Sequence, residues 1–177
     1  MERVIEEPTV TAPRRLSRPV RRAVLTVHII ASVGLLGDCA AIVAINVRAA
    51  TTADPQLAAS AYELLTMFSV IFGIPLSLAS LSTGLALGLG SKWGVLRHAW
   101  VAAKLLLLLS VVVVGAVVIG PQTAAMADGG GGGEDVLILA SAYDVLALCT
   151  ATWLSVYKPG RARAPRRGRE RVAARTA

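Results

Sequence analysis

Four long runs of apolar residues dominate the chain, at about 23–47, 62–89, 99–119 and 136–157. At ~1.5 Å of rise per residue, a helix of some 20 residues crosses the roughly 30 Å hydrocarbon core of a bilayer. Backbone N–H and C=O groups in lipid must be satisfied within the chain, so each run is expected to be a helix. The pattern predicts an all-α fold, a four-helix transmembrane bundle over residues 23–157. Charged residues make up only 16% of the 177 residues and apolar residues 55%. An average soluble domain carries about 25% charged residues, so a soluble globular domain is excluded.

The net charge of +7 is gathered at the two ends. Residues 1–22 carry Arg3, Arg14, Arg15, Arg18, Arg21 and Arg22, and residues 158–177 carry Lys158 and seven arginines. Both tails are polar and contain proline, so disorder is expected in each. Only Arg48, Lys92, Arg97 and Lys104 lie between them. Lys and Arg collect in the cytoplasmic loops of membrane proteins. The N-tail, the 90–98 turn and the C-tail are basic, whereas the 48–61 loop has only Arg48 and the 120–135 loop has no basic residue. This alternation predicts both termini in the cytoplasm and a multi-pass protein of the cell membrane. Trp93, Trp100, Trp153 and Tyr157 then fall at the inner interface and Tyr62 at the outer one, as aromatic belts do. The first run is too long for the apolar part of a signal peptide, and no cleavage is expected. Arg outnumbers Lys fifteen to three, the codon signature of a GC-rich bacterial genome. The basic tails are suited to anionic lipid headgroups, at about 1 kcal/mol per residue near the surface. No aromatic residues interleave with the arginines, so nucleic acid is not an expected partner.

Several features bear on how the helices pack. Gly73 and Pro75 interrupt the second run, and a kink is expected near Phe72–Pro75. Gly120 and Pro121 follow the third run, and the five glycines Gly129–Gly133 read as a flexible linker. Gly73, Ser77, Ser80, Gly84 and Gly88 are spaced to share one helix face. Small residues allow close helix approach in lipid. This stripe packs against the protein's own helices, or it joins a second copy or a partner subunit. Cys39 and Cys149 lack metal-ligand spacing and read as buried free thiols.

Ionisable residues inside a span cost about 2.5–3.5 kcal/mol on insertion scales and invite a functional reading. Four stand out: His28, Asp38, Lys104 and Asp144. Counted from the outer ends of their runs, Asp38 lies roughly 13 Å deep and Asp144 roughly 12 Å deep. At one level the two carboxyls would share a proton and serve a proton or cation pathway, or they would only tie helices together. His28 and Lys104 each lie roughly 7–8 Å from the inner end. Lys104 can line a cavity with His28 or snorkel to the surface. His28, with His98 the only other histidine, offers a ligand for haem or a metal. No metal-ligand spacing, nucleophile–base pair or nucleotide fingerprint is visible, so no catalytic residue, metal or cofactor is assigned.

The stretch PLSLASLSTGLALGLGSKWGVLRHAWVAAK, from Pro75 to Lys104, and the first-span segment LTVHIIASVGLLG resemble small, uncharacterised four-helix integral membrane proteins of high-GC bacteria. The resemblance covers roughly residues 22–120 and implies architecture rather than activity. The chain is more distantly similar to copper-resistance D proteins and to the HemJ-type protoporphyrinogen oxidase. In the latter a first-span histidine and a third-span lysine are functional, and the similarity implies those roles for His28 and Lys104. The aromatic-rich segment of that pattern is replaced here by GDCAAIVAI.

Three functions follow as expectations: a non-enzymatic accessory or self-associating bundle, a haem-linked redox protein using His28 and Lys104, and a proton-coupled transporter using Asp38 and Asp144. The orientation is testable on its own. A reporter fused after Ala53 or Gly131 is expected outside the cytoplasm and one fused after Lys158 inside; the opposite pattern refutes the assignment.

Overall fold

The computed structural model describes residues 16–89, 99–130 and 132–157. Residues 1–15 and 158–177, the 90–98 turn with His98, and Gly131 lie outside the described residues. The described chain is helical and contains no strand. In order it forms α1 (Arg18–Thr51), α2 (Pro55–Phe68), α3 (Ile74–Leu89), α4 (Ala99–Val114), α5 (Gly120–Ala127) and α6 (Glu134–Tyr157). A π-helical turn, Ser69–Gly73, joins α2 to α3, and a second, Gly115–Ile119, joins α4 to α5. Among the described residues the continuous helices number four, and each is long and apolar enough to cross a membrane.

The helices outrun the apolar runs, and local chemistry explains each end. α1 starts at Arg18, inside the expected tail, with Pro19 in its first turn, where its missing N–H costs nothing. The expected 48–61 loop shrinks to Thr52–Asp54. Asp54 caps α2 by accepting the backbone N–H groups of Gln56 and Leu57 at 3.0 and 3.3 Å, and Pro55 takes the first helical position. The third span does not stop at Ile119 but continues to Ala127. Proline lacks an N–H, and its ring collides with the carbonyl four residues back in an α-helix. Each π turn ends two residues before a proline, Pro75 or Pro121. There the N–H groups of Ile74 and Gly120 reach the carbonyls of Ser69 and Gly115, and the widened turn accommodates the ring. The interruption expected near Phe72–Pro75 is therefore a π turn within a continuous helix.

α5 ends on glycine. Gly129 adopts φ 83°, its N–H donates to Met126 O at 3.2 Å, and the Gly130 N–H donates to Ala125 O at 2.9 Å. This is a Schellman stop, which needs a residue at ease with positive φ. The glycine run is thus a helix terminator as well as a link.

The spans pack as a ring in chain order. α1 lies against α2, α3 and α6, α4 against α3 and α6, and α5 against α2. The chain enters α1 and leaves α6 at one end of the bundle, here the terminal end; the links at 52–54 and 128–133 mark the loop end. One apolar cluster near the loop end joins Ile42, Ala49, Tyr62, Leu65, Ile119, Met126 and Leu137. A second joins Leu35, Cys39, Val111, Ala147 and Leu148. Large apolar side chains such as Ile30, Val33, Leu106, Val117, Leu139 and Leu146 point outward. An apolar exterior of this kind is solvated by lipid chains. Cys39 is buried as expected, but Cys149 is on the exterior.

Close approach of α1 to α3 depends on the small-residue stripe. Ser80 Oγ lies 3.0 Å from Ser32 Oγ. A Cβ at Gly73 would come within 3.2 Å of Asp38 Oδ2, and one at Gly84 within 3.2 Å of His28 Cε1. Ser77 and Gly88 are half-buried on the same helix. Gly84→Val should destabilise the protein by about 1–3 kcal/mol through overpacking. Gly37→Ala, with nothing within 4 Å of the added methyl, should be neutral or stabilising by up to ~1 kcal/mol. Chemical unfolding in micelles measures both, and equal effects would contradict this account of the α1–α3 contact.

Candidate functional site

Within a membrane, the bundle interior is where polar side chains escape hydrocarbon. Among the described residues, Asp38, Asn46, Ser80, Thr123, Ser141 and Asp144 are buried there. With the half-buried His28, Ser32 and Thr83, they are distributed from one end of the bundle to the other.

At the terminal end, His28 Nδ1 lies 3.1 Å from the carbonyl of Ser80 and 3.0 Å from Thr83 Oγ1. The Thr83 hydroxyl gives its own proton to the Ala79 carbonyl. Both partners of Nδ1 therefore accept, which assigns the ring proton to Nδ1 and leaves Nε2 with a lone pair in the neutral imidazole. Lys104 lies within electrostatic reach of His28. Its ammonium donates to Ser155 Oγ at 3.0 Å and stands 4.8 Å from the centre of the Trp100 ring.

In the middle, Asp38 (8% exposed) and Asp144 (3% exposed) project into the bundle. Both oxygens of Asp38 and Oδ1 of Asp144 have no hydrogen-bond partner among the described residues. Buried polar atoms are nearly always paired, so these three are exceptional. Cys39, next to Asp38 on α1, packs in one cluster with Ala147 and Leu148 of α6. The levels of the two carboxyls differ. Asn46 meets Ser141 across antiparallel helices, and Asp38 is eight residues from Asn46 whereas Asp144 is three from Ser141. Asp144 thus sits nearer the loop end by roughly 7–8 Å. Helical side chains lean toward their own N-terminus, which carries the two carboxyls further apart. The single level expected from the apolar runs misleads because the runs and the helices end at different residues.

Toward the loop end, Asn46 Nδ2 donates to Ser141 Oγ at 3.4 Å. Asn46 Oδ1 and Thr123 Oγ1 are buried without partners among the described residues. From Asn46 to His28 is eighteen residues of α1, about 27 Å, close to the thickness of the hydrocarbon core. Inspection of the sequence for charge finds His28, Asp38, Lys104 and Asp144 but passes over Asn46, Ser141 and Thr123. A helical-wheel reading reaches two of these: Asn46 is eight residues from Asp38, and Ser141 three from Asp144. Thr123 gives no such signal. Among the described residues, no three His, Cys, Asp or Glu side chains gather where they could hold a metal ion.

Four helices long and apolar enough to cross a membrane, apolar outside and with polar groups buried within, are the architecture of an integral membrane protein. The chain belongs to the family described as predicted integral membrane protein (DUF2269), whose sequence pattern matches residues 22–159. No curated protein and no solved structure matches it.

The ring-proton assignment at His28 is open to direct test. Nitrogen NMR of histidine-labelled protein in bilayers should show neutral His28 protonated at Nδ1 and bare at Nε2. A ring protonated at Nε2 would contradict the hydrogen-bond assignment.

Proposed function

We propose that this protein is a proton-coupled membrane transporter in which Asp38 and Asp144 take up and hand on protons. The observation that carries this reading is the pair of buried carboxyls with unpartnered oxygens at two levels of the bundle interior. A carboxylate at membrane depth is expensive to maintain, and its usual roles there are in proton and ion pathways. Hydroxyl, amide and imidazole groups lie on either side of the two carboxyls; imidazole and hydroxyl side chains relay protons, and an amide orders the groups that do.

The orientation proposed places both termini in the cytoplasm, on the strength of the basic tails, with the cell membrane as location and anionic headgroups as the tails' partners. An accessory or self-associating bundle has less support, because Gly73, Ser80 and Gly84 of the small-residue stripe face α1. A haem-linked redox role draws on the lone pair of His28 Nε2, and within the described residues His28 is the sole histidine.

Purified protein in liposomes loaded with a pH-sensitive dye tests the reading. An imposed pH gradient should collapse faster with wild-type protein than in empty liposomes. Asp38→Asn and Asp144→Asn should each abolish the difference, while Asp54→Asn, at the loop between α1 and α2, should not. Folded Asp38 and Asp144 variants that conduct like wild type would refute it.

A further inference from the structure

We infer that Thr123 and Asn46 bind ordered water in the loop-end half of the bundle, and that this water passes protons to Asp144. The inference rests on the reading of Asp144 as a proton-carrying group. Serine and threonine inside a helix commonly give the hydroxyl proton to a carbonyl three or four residues back. Thr66, Ser110, Ser141 and Thr150 do so, at 3.1, 2.8, 2.7 and 2.8 Å. Thr123, only 1% exposed, does not, and its hydroxyl has no partner among the described residues.

Asn46 carries a matching unmet need. The Ser141 proton is committed to Leu137 O at 2.7 Å, so Ser141 Oγ accepts from Asn46 Nδ2. That fixes the amide with Oδ1 turned away from Ser141, and this oxygen, in a residue 1% exposed, is also unpartnered. Both side chains stand beside one apolar cluster. Ile42 and Ala49 flank Asn46, Ile119 and Met126 flank Thr123, and all four belong to one packed cluster with Leu137, one turn from Ser141. Asp144, with its unpartnered Oδ1, is the next residue along that face of α6.

The chemistry of the unmet groups selects the ligand. Asn46 Oδ1 and Asp144 Oδ1 present lone pairs, which repel an anion. A monovalent cation would satisfy them but leave the Thr123 proton without an acceptor. Water both donates and accepts and needs two to four polar partners, which these groups supply. Water held there connects Asp144 to the loop end of the bundle, where α5 stops at Ala127.

Infrared spectroscopy of the protein in bilayers, on transfer to deuterated water, tests the site. The Asp144 carboxyl band is assigned by its loss in Asp144→Asn. Its exchange should slow about tenfold in Thr123→Val and in Asn46→Leu, each of which removes a hydrogen-bonding step, and stay near wild type in Thr123→Ser. Unchanged exchange in a Thr123→Val protein of wild-type helix content overturns the inference. So does a slowing of wild-type exchange when sodium replaces potassium, the mark of a cation occupant, or the absence of any band lost in Asp144→Asn. Liposome flux separates the two readings. Flux that requires Asp144, with exchange untouched by Thr123→Val, retains the transporter and removes the water site. Exchange slowed by Thr123→Val, without wild-type flux, does the reverse.

Discussion

A backbone amide in hydrocarbon can turn only to its own helix, and Pro75 and Pro121 each take one such amide away. In water, the freed carbonyl would find solvent and the helix could end. Here both helices continue, and the shortfall is absorbed by a π turn ending two residues before each proline. Much of the remaining architecture depends on that. The first π turn ends at Gly73, beside the carboxyl of Asp38. The second lets α5 extend the third span far enough to bring Thr123 and Met126 inside.

The division between an apolar exterior and a polar interior has an energetic cost. The buried oxygens of Asp38, without partners among the described residues, forfeit hydrogen bonding that a wholly apolar interior would never require. The two apolar clusters hold the helices around these groups. α1 is the shared wall: Asp38 faces the second span, Asn46 faces the fourth, and His28 and Ser32 face α3. One helix thereby fixes the relative levels of nearly every interior polar group.

The four helices are legible in the sequence because long stretches rich in Leu, Val, Ile and Ala must form helices to span lipid. Their ends are not, because Asp54–Pro55 and Gly120–Pro121 look alike as breakers although one starts a helix and the other lies within one. The difference is a capping carboxylate in the first case and room for a π turn in the second. The charged interior residues are conspicuous against an apolar background. Asn46, Ser141 and Thr123 are neutral and blend into it. Thr123 is hidden further because its segment reads as loop until the helix is seen to continue. The relative heights of Asp38 and Asp144 depend on the contact between Asn46 and Ser141, which no count along a single helix can supply.

A π turn amounts to one residue in excess of the α-helical count. Removing a single residue between Ser69 and Gly73 would let the wide turn close to an α-helical one and leave α2 and α3 facing as they do, whereas removing one elsewhere in the second span would rotate its two parts against each other by about 100°. After the first deletion Tyr62 and Leu65 still pack inward beside Ile42 and Ser80 and Gly84 stay against α1; after the second, one of the two sets swings toward lipid. Between members of this family, a one-residue gap at that place therefore preserves which side of each helix meets its neighbours, and alignments that set the gap elsewhere in the span would pair inward-facing positions with outward-facing ones.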